Sequence, residues 1–241
     1  MSASRPTPTA VLVHGAFADA AGWSGVIDRL QRAGVPVLAP PNPLRGLAAD
    51  AAYIASVAAR IDGPVVLVGH SYGGAVITVA GTAENVVGLV YIAAYVPDEG
   101  ESLGELQGRF PDSPLVSNLE EWSYPTAEGD RATEVTIAEK AFPSVFAADL
   151  PEEVTKVLAA AQRPLALGVF AEKAAAAAWK SKPSWALVAG ADRAIDPDVE
   201  RFGAERAAAT VVELDGASHA VALSQPEAVA RIVIDAVRAT G

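Results

Sequence analysis

The sequence predicts an α/β fold in which a mostly parallel sheet of about six strands is covered by helices on both faces. Short β-branched runs recur between longer alanine-rich segments and give candidate strands at 10–14, 35–39, 64–69, 86–93, 185–189 and 210–214. Most of the segments between these strands are helical patterns of ten or more residues, as in 47–61. The order strand, helix, strand is typical of a parallel sheet with both faces buried.

Two of the predicted helices begin at recognisable signals. Asp196 is followed by Pro197, and an aspartate N-cap before a proline in the first turn is a favourable helix start. Ser224 lies three residues before Glu227, which is the spacing of a capping box. We therefore expect the final helix to open at Ser224 and to run through Arg238.

The alternation of strands and helices stops between residues 97 and 183. This segment mixes proline, glycine and acidic residues with helix-like pieces such as 151–161, and it holds most of the phenylalanines. A chain of 241 residues suits one α/β domain better than two small ones. We expect a single domain over 1–241, in which 97–183 is a helical insertion lying over the sheet.

Composition excludes several classes of site and partner. The absence of cysteine removes disulfides, thiolate metal sites and a cysteine nucleophile. A formal net charge of −11, without a cluster of lysine and arginine, argues against nucleic acid as a partner. The apolar runs are too short to span a bilayer, so no membrane association is expected. Residues 1–9 show no export signal, and we therefore expect a soluble, cytoplasmic protein.

The sequence G-H-S-Y-G at 69–73 lies between a predicted strand and a predicted helix. A G-x-S-x-G at such a turn holds the serine on a sharp elbow, because small residues let the strand and the helix approach each other. Ser71 is therefore the candidate nucleophile, and a Gly-Ser turn without a catalytic role is the alternative. The helix start offers free N–H groups to a developing oxyanion, and Tyr72 N–H would be one donor.

A second oxyanion donor is expected from the loop after the first strand. That loop reads V-H-G-A-F at 13–17, and we assign the donor to Ala16 N–H. Gly15 would allow a sharp bend and leave room above Ser71. Phe17 would line the substrate pocket or serve as an ordinary core aromatic.

A serine hydroxyl is a poor nucleophile until a positioned base accepts its proton. The chain has three histidines, and His219 lies just after the last predicted strand and before the last helix. This position places it with Ser71 at the C-terminal edge of the sheet, so we expect His219 to be the base. A polar loop histidine without this role is the alternative.

The base in turn needs a carboxylate that orients it and stabilises the imidazolium. Asp192 follows the fifth predicted strand and gives the chain order nucleophile, acid, base. It is the preferred acid. Asp196 competes with it, although helix capping explains Asp196, and Asp98 and Glu99 after the fourth strand are further candidates.

The other two histidines, His14 and His70, precede glycines at strand ends, so all three could share one edge of the sheet. Three histidines can bind zinc. Neither His14 nor His70 belongs to a local metal-ligand spacing, however, and both are explained as turn residues that hydrogen-bond nearby backbone. We expect no metal site.

Together these residues resemble the α/β-hydrolase superfamily, from Val11 to the last helix apart from the insertion. The opening L-V-H-G-A-F at 12–17, with Trp23 six residues on, is similar to the branch that holds plant methylesterases, hydroxynitrile lyases and bacterial esterases, some of which hydrolyse pyrethroids. The resemblance implies an α/β-hydrolase fold with a helical cap over the site. It also implies serine esterase chemistry through an acyl-enzyme, without a cofactor.

Two positions separate the members of this branch. The hydroxynitrile lyases that the chain resembles carry a threonine at the position of Gly15 and a lysine at the position of Ala220. That lysine stabilises departing cyanide, which Ala220 cannot do. The sequence thus favours ester hydrolysis, while a hydroxynitrile lyase, a cofactor-free perhydrolase and a triad-containing receptor for a small ligand are the alternatives.

The expected substrate is a hydrophobic or aromatic small-molecule ester. This expectation depends on an apolar pocket that we assign to Phe17, Tyr95, Trp122, Phe142, Phe146, Phe170 and Val221. The sequence leaves both a monomer and a homodimer open.

Overall fold

The structure is a computed structural model that describes residues 6–127 and 129–241, so residues 1–5 of the N-terminal segment lie outside it. The strands are β1 (Thr9–Val13), β2 (Val37–Leu38), β3 (Val65–Ser71), β4 (Val86–Ala94), β5 (Leu119–Pro125), β6 (Arg131–Ile137), β7 (Leu165–Ala166), β8 (Ser184–Ala189) and β9 (Thr210–Leu214).

The α-helices are α1 (Ser24–Arg32), α2 (Leu47–Ala59), α3 (Tyr72–Ala80), α4 (Leu103–Gln107), α5 (Phe142–Phe146), α6 (Glu152–Ala160), α7 (Pro197–Arg206), α8 (Val221–Ser224) and α9 (Pro226–Thr240). In the described part of the chain, no helix is both long and apolar enough to cross a membrane.

The main sheet has six strands in the order β2-β1-β3-β4-β8-β9, and every neighbouring pair is parallel. These are the six strands that the sequence predicts, and the α/β fold class is confirmed. Because the strands are parallel, the loops that follow β1, β3, β8 and β9 all lie at the same edge of the sheet. The sheet therefore brings together residues that are far apart in the chain.

Apolar residues cover both faces of this sheet. In β1, Val11 and Val13 belong to one buried cluster, whereas Ala10 and Leu12 belong to a second cluster. Helices α2, α3 and α7 contribute to the first cluster, and helices α1 and α9 contribute to the second. The central strand β3 is buried along its whole length. The loop edge of the sheet is thus supported by a core on each side.

The segment between β4 and β8 contains the predicted insertion. It holds α4, α5 and α6, and it also holds a second, antiparallel sheet in the order β5-β6-β7. The expectation of a helical insertion therefore missed half of its structure. Strand β5 is mostly exposed and lacks the regular apolar alternation by which a strand is identified, so only its pairing with β6 defines it.

The two predicted helix starts have different outcomes. Asp196 caps α7, because its side chain accepts a backbone N–H two residues on at 2.9 Å. The final helix begins at Pro226, whereas Ser224 ends the short helix α8. Glu227 extends toward α1 and pairs with Arg29 at 2.9 Å. The predicted capping box at Ser224 is therefore wrong.

A buried carboxylate fastens the beginning of the insertion to α7. Glu101 is 6% exposed, and its two oxygens pair with Arg109 and Arg206 at 2.6 Å each. Arg206 ends α7 and also donates a hydrogen bond to the carbonyl oxygen of Val96, two residues after β4. Glu101 thus joins the insertion to the helical layer of the main sheet.

Substituting Glu101 by alanine should destabilise the fold, because the largely buried guanidinium of Arg206 would lose its counter-ion. We expect the free energy of unfolding, measured by urea denaturation, to fall by about 3 kcal/mol. Glu99→Ala removes an exposed carboxylate two residues away and should change it by less than about 0.5 kcal/mol. Equal effects of the two substitutions would contradict this role of Glu101.

Candidate active site

Ser71 ends β3 and immediately precedes α3. Its φ of 55° and ψ of −124° lie outside the regions that residues other than glycine ordinarily adopt. Such a conformation costs on the order of 1–3 kcal/mol and persists only where the surrounding structure enforces it. The turn is therefore the sharp elbow that the G-x-S-x-G sequence predicts.

Two glycines enforce this elbow by letting β3 and α3 come unusually close. A Cβ atom at Gly69 would collide with the backbone of Gly73. A Cβ atom at Gly73 would collide with the carbonyl oxygen of Val13 at the end of β1. Only glycine fits at either position, so the geometry at Ser71 depends on both.

Gly15 brings the loop after β1 against the serine side chain. A Cβ atom at Gly15 would lie 2.6 Å from Ser71 Cβ and 3.1 Å from Ser71 Oγ. A side chain here would displace the hydroxyl or cover it, so Gly15 leaves the room above Ser71 that the sequence predicts.

His219 lies in the loop between β9 and α8, and it is bonded to a carboxylate. Its Nδ1 atom is 2.5 Å from Asp192 Oδ2, and both side chains are almost completely buried. Asp192 Oδ1 accepts the backbone N–H groups of Ala194 at 2.7 Å and Ile195 at 3.0 Å. These contacts fix the carboxylate, which in turn fixes the imidazole through Nδ1.

The other candidate acids have different partners. Asp196 caps α7, and Asp98 forms an ion pair with Lys180. Glu99 is exposed. Of the four carboxylates considered from the sequence, the structure brings Asp192 to His219.

Ala16 and Tyr72 line the same narrow cavity as Ser71 and His219. Tyr72 is the first residue of α3, which has no side-chain cap at its N-terminus. The N–H groups of Ala16 and Tyr72 have no protein acceptor among residues 6–127 and 129–241. Two residues with uncommitted N–H groups therefore line the cavity, which is compatible with the oxyanion prediction.

Tyr72 is held in place by its hydroxyl, which donates to Asp50 Oδ2 at 2.7 Å in the protein interior. Burial raises the pKa of the Asp50 carboxyl, and the Tyr72 and backbone donors partly oppose that rise. Burial also raises the pKa of the Tyr72 hydroxyl. This pair anchors the first residue of α3 beneath the site.

His14 and His70 are bound to backbone groups, as predicted. His14 Nε2 accepts the N–H of Asn42 at 2.9 Å, so Nδ1 donates to Gly15 O at 2.8 Å. His70 Nε2 donates to the carbonyl oxygen of His219 at 2.8 Å. Burial lowers the pKa of both imidazoles, which favours their neutral forms. In the described residues no three His, Asp or Glu side chains are grouped as metal ligands.

The cavity at Ser71 has a volume of about 20 Å³. Three residues of the predicted pocket line it, namely Phe17, Tyr95 and Phe170. It is also lined by Leu103, Leu115, Leu165, Ala194 and Ile195, which sequence reasoning did not select. The first three of these belong to the insertion, where no periodic pattern identifies the inward face. Ala194 and Ile195 follow Asp192 closely in the chain, and this proximity could have indicated that they line the cavity.

The other four residues predicted for the pocket do not line this cavity. Trp122 is 55% exposed on β5, and Val221 is buried in the second apolar cluster of the sheet. Phe142 and Phe146 stack on each other, with ring centroids 4.9 Å apart. Phe146 also packs edge-on against the His219 ring, with ring centroids 4.8 Å apart, so it supports the imidazole from outside the cavity.

Comparison with protein-family models agrees with this architecture. The model described as the Alpha/beta hydrolase family matches residues 10–232, which include Ser71, Asp192 and His219. The chain belongs to the alpha/beta hydrolase family.

Solved structures of other proteins share the fold of this alpha/beta hydrolase. Polyneuridine aldehyde esterase superposes with a TM-score of 0.81 at 22% identity, over 95% of this chain and 99% of that one. A pyrethroid hydrolase from Sphingobium faniae JZ-2 gives a TM-score of 0.78 at 22% identity, over 96% of this chain and 98% of that one. The α/β-hydrolase fold and the family resemblance predicted from sequence are confirmed.

One curated relative has a higher identity over a shorter stretch. A carbendazim hydrolyzing esterase from Nocardioides sp. (strain SG-4G) is 37% identical over 109 residues, which are 39% of this chain and 44% of that protein. The match thus spans less than half of the relative's length.

Substituting Gly15 by alanine should slow the reaction of Ser71 with a fluorophosphonate, because the added methyl group would displace the serine. We expect a loss of about 10- to 100-fold in the labelling rate. Gly22→Ala is the matched control, since a Cβ atom there meets nothing within 4 Å. Unchanged labelling of a folded Gly15→Ala protein would show that this loop does not constrain Ser71.

Proposed function

We propose that this alpha/beta hydrolase is a serine carboxylic-ester hydrolase that acts through an acyl-enzyme on a hydrophobic or aromatic small-molecule ester. The observation that carries the proposal is one cavity lined by both Ser71 and His219, with His219 bonded to Asp192 at 2.5 Å. A strained serine, a buried base and an orienting carboxylate are the groups that nucleophilic acyl transfer needs.

In the first step, Ser71 Oγ attacks the ester carbonyl carbon while His219 Nε2 accepts the hydroxyl proton. The carbonyl π electrons move to the oxygen, which becomes an oxyanion bound by the N–H groups of Ala16 and Tyr72. Asp192 stabilises the imidazolium that forms. The carbon–oxygen bond to the alcohol then breaks, and the alcohol leaves with the proton from His219.

In the second step, a water molecule attacks the acyl-enzyme while His219 accepts one of its protons. The second tetrahedral intermediate uses the same two N–H groups. Its collapse breaks the bond to Ser71 Oγ, which takes the proton back from His219. The carboxylic acid is released and the enzyme returns to its starting state.

The names of the related proteins support ester hydrolysis. The curated relative is a carbendazim hydrolyzing esterase, and the structural neighbours include polyneuridine aldehyde esterase and a pyrethroid hydrolase. The residue after His219 supports it as well. Ala220 is 3% exposed and has no charge with which to stabilise a departing cyanide.

The substrate class is inferred from a larger cavity beside the serine. This cavity of about 330 Å³ shares Tyr95, Leu115, Phe170 and Ala194 with the narrow one. Its volume is in the range of small-molecule sites. Asp112 is the charged residue of its described lining, so the cavity favours a substrate without negative charge.

Much of this lining comes from the insertion. We therefore propose that 97–183 is the cap of a single catalytic domain, and that the cap selects the substrate. The bulky apolar part of the ester would occupy the larger cavity while the carbonyl group enters the narrow one.

Fluorophosphonate labelling with peptide mapping tests the nucleophile. We expect modification of Ser71, and Ser71→Ala should lower kcat on p-nitrophenyl esters by about 10⁴-fold or more. Ser181→Ala, outside the cavity, should leave kcat unchanged. A folded wild-type protein that hydrolyses the esters without modification at Ser71 would overturn the assignment.

Leu167→Trp tests the role of the larger cavity. Leu167 lines this cavity and does not line the narrow one. We expect kcat/KM for a bulky aryl or long-chain ester to fall by about tenfold or more, while that for an acetyl ester stays within about threefold. Leu167→Ala is the control that leaves the cavity open. Equal losses on both esters would place the bulky group elsewhere.

A further inference from the structure

A second buried carboxyl group lies near Asp192. Glu200 belongs to α7, is 3% exposed, and its Oε2 atom accepts the N–H of Ala189 at 2.9 Å. No N–H or O–H group in the described part of the chain reaches its buried Oε1 atom. Glu200 binds the turn that carries Asp192, since the carbonyl oxygen of Ala189 accepts the N–H of Asp192 at 3.0 Å. The two carboxyl groups are therefore neighbours in the protein interior, and an ionised Asp192 is an acceptor as well.

Two neighbouring buried carboxyl groups favour a proton on one of them, and the surrounding donors decide which group carries it. Asp192 accepts the N–H groups of Ala194, Ile195 and the His219 ring. Among the described residues, Glu200 accepts one N–H group, that of Ala189. Because three donors stabilise a carboxylate better than one, Asp192 is the ionised partner and Glu200 is the acid.

The other charged and titratable groups near Glu200 are consistent with a neutral side chain. Arg201 on the same helix is directed outward to Asp198 and Glu213. Tyr95, whose hydroxyl donates to Gln107, is buried nearby and uncharged. Burial and the negative charge of Asp192 both raise the pKa of the Glu200 carboxyl well above its ordinary value.

We propose that Glu200 is a positioning residue that stays protonated and donates its O–H to Asp192, completing the hydrogen bonds that orient the carboxylate toward His219. This proposal rests on the proposed function for its catalytic consequence. The buried pair then carries one negative charge, which faces the imidazolium during acyl transfer. Asp192 has one fewer unsatisfied lone pair and is less free to rotate away from Nδ1.

The protonation of Glu200 can be tested without any turnover, by comparing the Tm of wild type and Glu200→Gln across pH. A raised carboxyl pKa in the folded state stabilises the fold below the ordinary pKa of glutamate, and this stabilisation is lost as pH rises. Glutamine keeps an acceptor for Ala189 and a donor for Asp192 but does not titrate. The Tm of the variant relative to wild type should therefore increase from about pH 5 to about pH 8.

Glu205→Gln makes the same chemical change at an exposed position of α7. Its Tm relative to wild type should stay constant over the same pH range. If the Tm difference between Glu200→Gln and wild type also stays constant with pH, Glu200 is ionised in the folded protein. That result would overturn the proposal.

The positioning role is tested by kinetics on a p-nitrophenyl ester. Glu200→Gln should retain kcat within about threefold, and the acidic limb of its kcat/KM profile should move by less than about 0.3 pH units, because no charge is lost. Glu200→Leu removes the donor to Asp192 and should lower kcat by about tenfold or more, with KM within about threefold.

Two kinetic results would contradict this role. An acidic limb that moves down by about one pH unit in Glu200→Gln would mean that a negative charge beside His219 was lost. Equal kcat values for the leucine and glutamine variants would mean that Asp192 needs no donor from this position. If Ser71 is not the nucleophile, fluorophosphonate labelling fails in every variant, whereas the pH dependence of Tm still reports on Glu200.

Discussion

The close approach of β3 and α3 around Ser71 is the constraint on which the site depends. Gly69 and Gly73 remove the side chains that would separate the strand from the helix, and Ser71 then adopts a φ of 55°. The same contact brings the end of β1 against the elbow, which places Gly15 beside the serine and Ala16 in the cavity. The backbone packing of three glycines thus determines where Ser71 and its neighbouring N–H groups lie.

Buried polar groups around this elbow are almost all paired in ways that avoid net charge. His14 and His70 are bound to backbone groups, and burial lowers the pKa of each. Tyr72 donates to Asp50, whose pKa burial raises. These shifts favour the neutral forms of the groups that surround the elbow.

The sequence predicted the residues whose positions follow from chain order. Ser71 ends one strand of the parallel sheet, and Asp192 and His219 follow two others, so the topology alone brings them to one edge. The pocket was predicted less well, because aromatic composition does not say which way a side chain points. Trp122 faces solvent on a strand without regular alternation, and Phe146 packs behind the base. Glu200 was missed because a glutamate in a helix ordinarily faces solvent.

The hydrogen bond from His70 Nε2 to the carbonyl oxygen of His219 joins the residue before Ser71 to the loop that carries His219. This link lies within the sheet edge and involves no residue of the insertion. The loop of His219 is also held by the segment 97–183, because the carbonyl oxygen of Phe146 accepts the N–H of Ala220 at 2.9 Å and the Phe146 ring packs against the imidazole. The same segment supplies Leu103, Leu115, Leu165 and Phe170 to the lining of the cavity. A change of packing within 97–183 can therefore alter both the lining of the cavity and the position of the His219 ring.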